Sequence, residues 1–265
     1  MQLLVSCASP LDALAAVDGG ADIVDAKDPA AGPLGAVTFD VFRGIAAAVA
    51  GRRQLTAAMG DARSSTSVET DARMFASLGA ALIKVGLAET TSAAEARTLA
   101  AAAIRGARSG GAGVVLVACA DRLHEGVSPT ALLDVASSAG AAGVLLDTAD
   151  KRGPRLTELL SPASLAAWVE RAHRQSLTVA LAGQLRADDL PIVRQCGADV
   201  AGVRGAACAG GRGGVVEAAR VRALLDGFTH DITRGRRVRE NLASQRLRAD
   251  TGSGTREPPS GRRTD

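Results

Sequence analysis

The chain has 265 residues, 47% of them apolar and 2% aromatic, with a formal net charge of +3. That length and apolar share suit one large domain or two small ones with a sizeable core, and the scarcity of aromatic rings disfavours a nucleic-acid partner held by base stacking. The positive charge belongs to one end: residues 230–265 carry nine arginines against five acids, a net of +4, which leaves the other 229 residues at 22 basic against 23 acidic, or −1.

The opening residues, "MQLLVSCASP", lack a cationic stretch followed by a long apolar segment, and no later apolar run reaches eighteen residues, so neither a signal peptide nor a membrane span is expected. "LLVSCA" from Leu3 reads as a buried strand. "SPLD" from Ser9 then places Ser at a helix N-cap and Pro at the first helical position, and Gly20 is placed to end that helix in a left-handed cap. "GADIVDAK" from Gly20, "LTAAMGD" from Leu55, "GAALIKVG" from Gly79, "VVLVACAD" from Val114, "GAAGVLLDT" from Gly140, "TVALAG" from Thr178 and "GADVAGVRG" from Gly197 supply seven more short apolar runs. Each suits a parallel strand covered on both faces. "SPTALLD" at Ser128 and "SPASLAAWVE" at Ser161 repeat the Ser-Pro helix start. The four Gly-Ala starts are spaced by 59, 61 and 57 residues, and a period near sixty fits two strand–helix units. Eight such units predict an α/β fold, a single-domain (β/α)8 TIM barrel over residues 1–228. An open doubly wound sheet is the alternative, but no GxGxxG turn follows the first strand. From Thr229 to Asp265 the chain is arginine-rich and poor in large apolar residues, which predicts a short helical start and then a disordered tail.

Side chains alternate along a strand, so residues at equal offsets from the four glycines share a face. Offsets of five and seven give Asp25 and Lys27, Lys84 and Gly86, Leu145 and Asp147, and Gly202 and Arg204. These polar groups should converge at the C-terminal mouth of the barrel. The lysine usage sharpens this. Of 31 basic residues, 28 are arginine, and the three lysines, Lys27, Lys84 and Lys151, all lie on or just after even-numbered strands. Lysine can lose its proton and attack a carbonyl to form an imine, whereas arginine stays protonated. Clustered cations would lower the proton affinity of one lysine toward neutrality. Asp25 or Asp28 is expected to tune Lys27, with Asp25 also able to anchor Lys84 or Lys151. The bland alternative is that Lys27 pairs with a neighbouring aspartate and Lys84 merely neutralises a carboxylate.

The loops after the seventh and eighth strands, "LAGQL" and "VRGAACAGGRGG", are small and glycine-rich, where exposed N–H groups can hold an anion. Gly183, Arg204, Gly205, Gly210 and Gly211 are the phosphate-binding candidates. "GPLGA" at Gly32 reads either as a second loop beside Lys27 or as a plain turn. Cys7, Cys119, Cys196 and Cys208 form no CxxC pair and read as reduced thiols, which points to the cytoplasm. His124, His173 and His230 lie far apart, so no metal site is expected.

Together, "LLVS", "GGADIVDAKDP", "GPLGA", "IKVGL", "LLDTADK", "LAGQL" and "GADVAGVRGAAC" make the chain resemble the (5-formylfuran-3-yl)methyl phosphate synthases, also called 4-(hydroxymethyl)-2-furancarboxaldehyde-phosphate synthases, over most of the first 227 residues. The resemblance implies a lyase that condenses two molecules of glyceraldehyde 3-phosphate into a phosphorylated furan aldehyde, the furan source of methanofuran in methanogens. It implies that Lys27 forms the Schiff base, that Lys84 accepts a proton, and that Asp25, Asp147 and Lys151 support them. Lys151 and Arg204 would stabilise phosphate or oxyanion charge. No metal or organic cofactor is required, and the expected partner is a small phosphorylated triose; a homo-oligomer is left open. The rivals are a class I Schiff-base aldolase on sugar phosphates and a non-enzymatic barrel scaffold that docks through its tail.

Overall fold

Eight strands form a closed parallel barrel in chain order: β1 (Gln2–Cys7), β2 (Ile23–Ala26), β3 (Gln54–Asp61), β4 (Leu82–Gly86), β5 (Gly113–Cys119), β6 (Gly143–Asp147), β7 (Thr178–Leu181) and β8 (Val200–Val203), with β8 returning to pair with β1. The computed structural model describes residues 1–90, 92–122 and 127–227. The expected tail at 229–265, together with His124 and His230, lies outside the described residues. Met1–Gly227 is one compact unit. Among the described residues, no helix is long and apolar enough to cross a membrane.

The covering helices begin and end where local chemistry dictates. Helix α1 (Pro10–Gly19) starts at Ser9, whose side chain accepts from the Asp12 N–H, and stops at Gly20, φ +95°. After α2 (Phe39–Val49), α3 (Ser65–Ser77) and α4 (Ala93–Arg108), the same Ser-Pro start opens α5 (Pro129–Ala139). The short α6 (Leu156–Leu159) precedes α7 (Pro162–Arg174), which is again capped by a serine ahead of a proline; α8 (Leu190–Gln195) follows β7, and a further helix covers 218–227. Gly79, Gly140 and Gly197 all adopt positive φ, as the Gly-Ala repeat predicts.

Register sets what the barrel interior contains. Ser6 pairs with Asp25 and Asp25 with Thr56, while Lys84 lies between Ala58 and Val115. On the far side Val117 pairs with Leu145 and Cys119 with Asp147. Leu4, Ile23 and Val200 pack together with Ala180 as an apolar floor. Above it, Leu34 descends from the loop after β2 onto Val115, Val117 and Leu145. "GPLGA" is therefore neither a bare turn nor only a mouth loop, because it inserts a core residue whose burial contributes roughly 2 kcal/mol. The glycine after Leu34 permits this: a Cβ on Gly35 would lie 2.3 Å from the Asp28 carbonyl oxygen.

Candidate active site

The apolar floor gives way, one step toward the mouth, to a buried carboxylate. Asp25 is fully buried. Its Oδ2 accepts from Ser6 Oγ at 3.0 Å and from Lys84 Nζ at 2.5 Å, and its Oδ1 accepts from Thr56 Oγ1 at 2.7 Å. Three donors, from β1, β3 and β4, thus satisfy the one anion that β2 places inside the barrel, as a buried charge demands. Lys84, itself buried, is held by this pair.

Lys27, two residues further along, has looser company. It is buried, and the nearest carboxylate oxygen is Asp147 Oδ2 at 3.8 Å. Burial lowers its proton affinity to about 8 from the usual 10.5; Asp147 opposes the shift, Lys84 and Lys151 reinforce it, and Asp25 opposes it more weakly. Roughly one Lys27 in ten is therefore a neutral amine at pH 7. Of the two aspartates expected to tune this lysine, Asp25 acts on it, but more weakly than Asp147 because it is engaged by Lys84, and Asp28 accepts instead from the Ala30 N–H at 2.8 Å. The physical reason is that β6 faces β2 across the barrel, a proximity that strand order along the chain does not reveal.

Asp147 ends β6 and accepts from Lys151 Nζ at 2.6 Å and from the Thr148 N–H at 2.7 Å. Burial alone would raise its carboxyl, but Lys151, Lys27 and these hydrogen bonds hold it below the ordinary value. Lys151 also reaches Thr148 Oγ1 at 3.4 Å. All five residues expected to be catalytic, Asp25, Lys27, Lys84, Asp147 and Lys151, therefore meet, and the bland pairing holds for Lys84 while leaving Lys27 without a close partner.

A cavity of about 630 Å³ opens above Lys27, Lys84, Asp147 and Lys151 and extends over the ends of β7 and β8. Gly183, Gly205 and Gly211 line it, whereas Gly210 does not. Arg204, also expected to bind phosphate, borders the cavity and is engaged by protein acceptors. Its guanidinium donates to the carbonyl oxygens of Arg212, Ser6 and Gly214 and to Asp12. Sequence reasoning missed Arg186, Arg212 and Arg220, which also line the cavity; they sit in loops and short helices where no periodicity marks orientation. It also missed Ser6 and Thr56, although each is a polar residue in an otherwise apolar strand beside Asp25. The four cysteines are free, and burial and then the Asp147 charge push the Cys119 thiol up to about 12. His173 pairs with Asp199 Oδ2 at 2.9 Å, next to the start of β8 and away from the mouth. Among the described residues no cluster of His, Cys, Asp and Glu is placed to hold a metal ion.

A family model described as 4-HFC-P synthase matches residues 3–225. The chain is 39% identical over 231 residues to the (5-formylfuran-3-yl)methyl phosphate synthase of Methanopyrus kandleri, covering 85% of this chain and 98% of that one. It is 37% identical over 215 residues to the synthase of the same description from Methanococcus maripaludis, covering 80% and 91%. Among solved structures, 3-hexulose-6-phosphate synthase from Salmonella typhimurium superposes with a TM-score of 0.60 at 18% identity, covering 85% of this chain and 98% of that one. Phosphoribosyl anthranilate isomerase from Thermus thermophilus does so at 0.59 and 17%, covering 87% and 99%. These last two similarities concern the barrel fold alone.

Proposed function

From the premise that this chain belongs to the 4-HFC-P synthase family, and so is a synthase, we propose that it condenses two molecules of glyceraldehyde 3-phosphate into (5-formylfuran-3-yl)methyl phosphate through a Schiff base on Lys27. The observation that carries this reading is the lowered proton affinity of a buried lysine that has no carboxylate within hydrogen-bonding distance yet faces the cavity. Neutral Lys27 attacks the carbonyl of one triose phosphate, and loss of water gives an iminium that acidifies the adjacent carbon. Lys84, held on Asp25, moves the protons for enamine formation and phosphate loss. Aldol addition to the second triose, two dehydrations in all and hydrolysis of the imine return Lys27 free. The balance is two trioses in, with one furan phosphate, one phosphate and two waters out. Lys151, fixed on Asp147, faces the developing oxyanion or a substrate phosphate. The free thiols and the absence of a membrane-length helix among the described residues support a cytoplasmic location.

Borohydride reduction in the presence of glyceraldehyde 3-phosphate, followed by peptide mass mapping, tests the assignment. The expected adduct is on Lys27, and an adduct on Lys84 or Lys151 overturns it. A simple Schiff-base aldolase would give the same adduct, so the product is assayed as well: only the synthase releases free phosphate together with an ultraviolet-absorbing furan.

A further inference from the structure

Arg204 has the position of a phosphate ligand and the contacts of a clasp. It is buried, and four hydrogen bonds leave little of its donor fork for the cavity: Nε to the Arg212 carbonyl at 2.8 Å, Nη2 to the Gly214 carbonyl at 3.0 Å, and Nη1 to the Ser6 carbonyl at 2.9 Å and to Asp12 Oδ2 at 3.1 Å. Asp12 stands on α1, outside the barrel, and is 2% exposed. Besides Arg204 it accepts the Ala8 N–H at 2.9 Å and the Val216 N–H at 3.0 Å. One carboxylate thereby gathers the end of β1, the two-residue strand Val215–Val216, and the arginine that precedes the intervening glycine-rich loop. A buried carboxylate with three donors and a guanidinium with four acceptors is a complete network, in which each charge is needed to satisfy the other.

The loop so held runs from Gly205 to Gly214 and includes Gly205 and Gly211, which line the cavity. Its next cationic residue, Arg212, donates from Nη2 to the carbonyls of Pro29 and Gly32 at 3.3 and 2.9 Å. Those carbonyls belong to the loop that directly follows Lys27. The connection is continuous: Asp12 holds Arg204, Arg204 holds the Arg212 backbone, and the Arg212 side chain holds the loop beside Lys27.

We propose that the Asp12–Arg204 pair is a positioning device, which fixes the Gly205–Gly214 loop and Arg212 over Lys27 so that they receive a substrate phosphate, and that Arg204 does not itself ligate that phosphate. The proposal rests on the triose-phosphate reading above for the identity of the ligand. Lysine cannot replace the fork at Arg204, because one ammonium does not span three carbonyls and a carboxylate; a direct phosphate contact, by contrast, would tolerate it.

The test compares wild type with Asp12→Asn, Arg204→Lys and Arg204→Gln. Asp12→Asn and Arg204→Lys are each expected to raise the KM for glyceraldehyde 3-phosphate and the inhibition constant of inorganic phosphate about tenfold, with a smaller change in kcat. In Asp12→Asn, borohydride trapping of unphosphorylated glyceraldehyde on Lys27 should keep its wild-type rate, a split that general destabilisation would not produce. If Arg204→Lys retains wild-type constants while Arg204→Gln loses them, or if Asp12→Asn is silent, the arginine binds phosphate directly and the proposal falls. Should the variants not fold, hydrogen exchange on wild type decides: inorganic phosphate should slow the amides of 205–214, and no slowing overturns the proposal. Failure of the synthase reading would look different, as a wild-type chain that neither traps triose phosphate nor releases furan.

Discussion

Asp25 and Asp147 are two buried carboxylates at the same barrel mouth, and they differ in how closely each pairs with the lysine beside it: Lys84 is held tightly, whereas Lys27 is left at a distance. Asp25 is saturated by Ser6, Thr56 and a 2.5 Å contact to Lys84. Asp147 gives its close contact to Lys151 and leaves Lys27 at 3.8 Å. Both lysines are buried to a similar degree, so burial by itself does not make a nucleophile. What matters is whether an anion is close enough to offset the desolvation of the ammonium.

Removing the two lysines should therefore have opposite effects on stability. Lys27→Met is expected to lower turnover by at least about a thousandfold while raising stability at pH 7 by up to about 3 kcal/mol, because the wild type keeps a poorly compensated charge there. The folded value of about 8 lies below the unfolded 10.5, so this gain should be full below pH 8 and fade as pH rises toward 10.5. Urea melts at pH 7 and pH 10 read it, and a less stable Lys27→Met at pH 7 would break the comparison. Lys84→Met should instead cost about 3–5 kcal/mol, since it leaves the Asp25 anion buried with two hydroxyl donors; the same melts measure it.

The pH dependence sharpens the contrast. Trapping on Lys27 should accelerate with pH with a midpoint near 8 and level off above it. Asp147→Asn removes the anion that raises the proton affinity of Lys27, so the midpoint should move to lower pH, and an upward move would contradict the assigned tuning. Ser6→Ala takes one donor from Asp25 and should cost about 1 kcal/mol, read by thermal melting, without moving the trapping profile. Smallest of all, Asp28→Ala removes only a turn contact, and its trapping profile should superpose on wild type. A shifted profile would restore Asp28 as a tuning group.

Much of the fold was legible because its signals are local. Buried parallel strands are apolar on both faces, Ser-Pro pairs start helices, and a glycine that ends a helix must tolerate positive φ, so "GADIVDAK", "GAALIKVG", "GAAGVLLDT" and "GADVAGVRG" announced themselves. Side-chain parity then aligned Asp25, Lys27, Lys84 and Asp147 on one face. Arg204 satisfied the same parity, yet its long side chain turns at the rim toward Asp12. Parity predicts where a Cβ points and says little about where a guanidinium five bonds away finds its acceptors. Leu34 was hidden for a related reason: no period marks a loop residue that dips back into the core.

By itself the sequence determined the barrel, the mouth at which its polar groups gather and the three lysines among which the proposed nucleophile is found, because these follow from alternation along each strand and from residue choice. Only the tertiary structure decided which carboxylate serves which lysine and that Arg204 is engaged by Asp12. Those pairings join residues 59, 120 and 192 positions apart in the chain. Coulomb energy and desolvation depend on distances in space, and closing the barrel is what sets those distances.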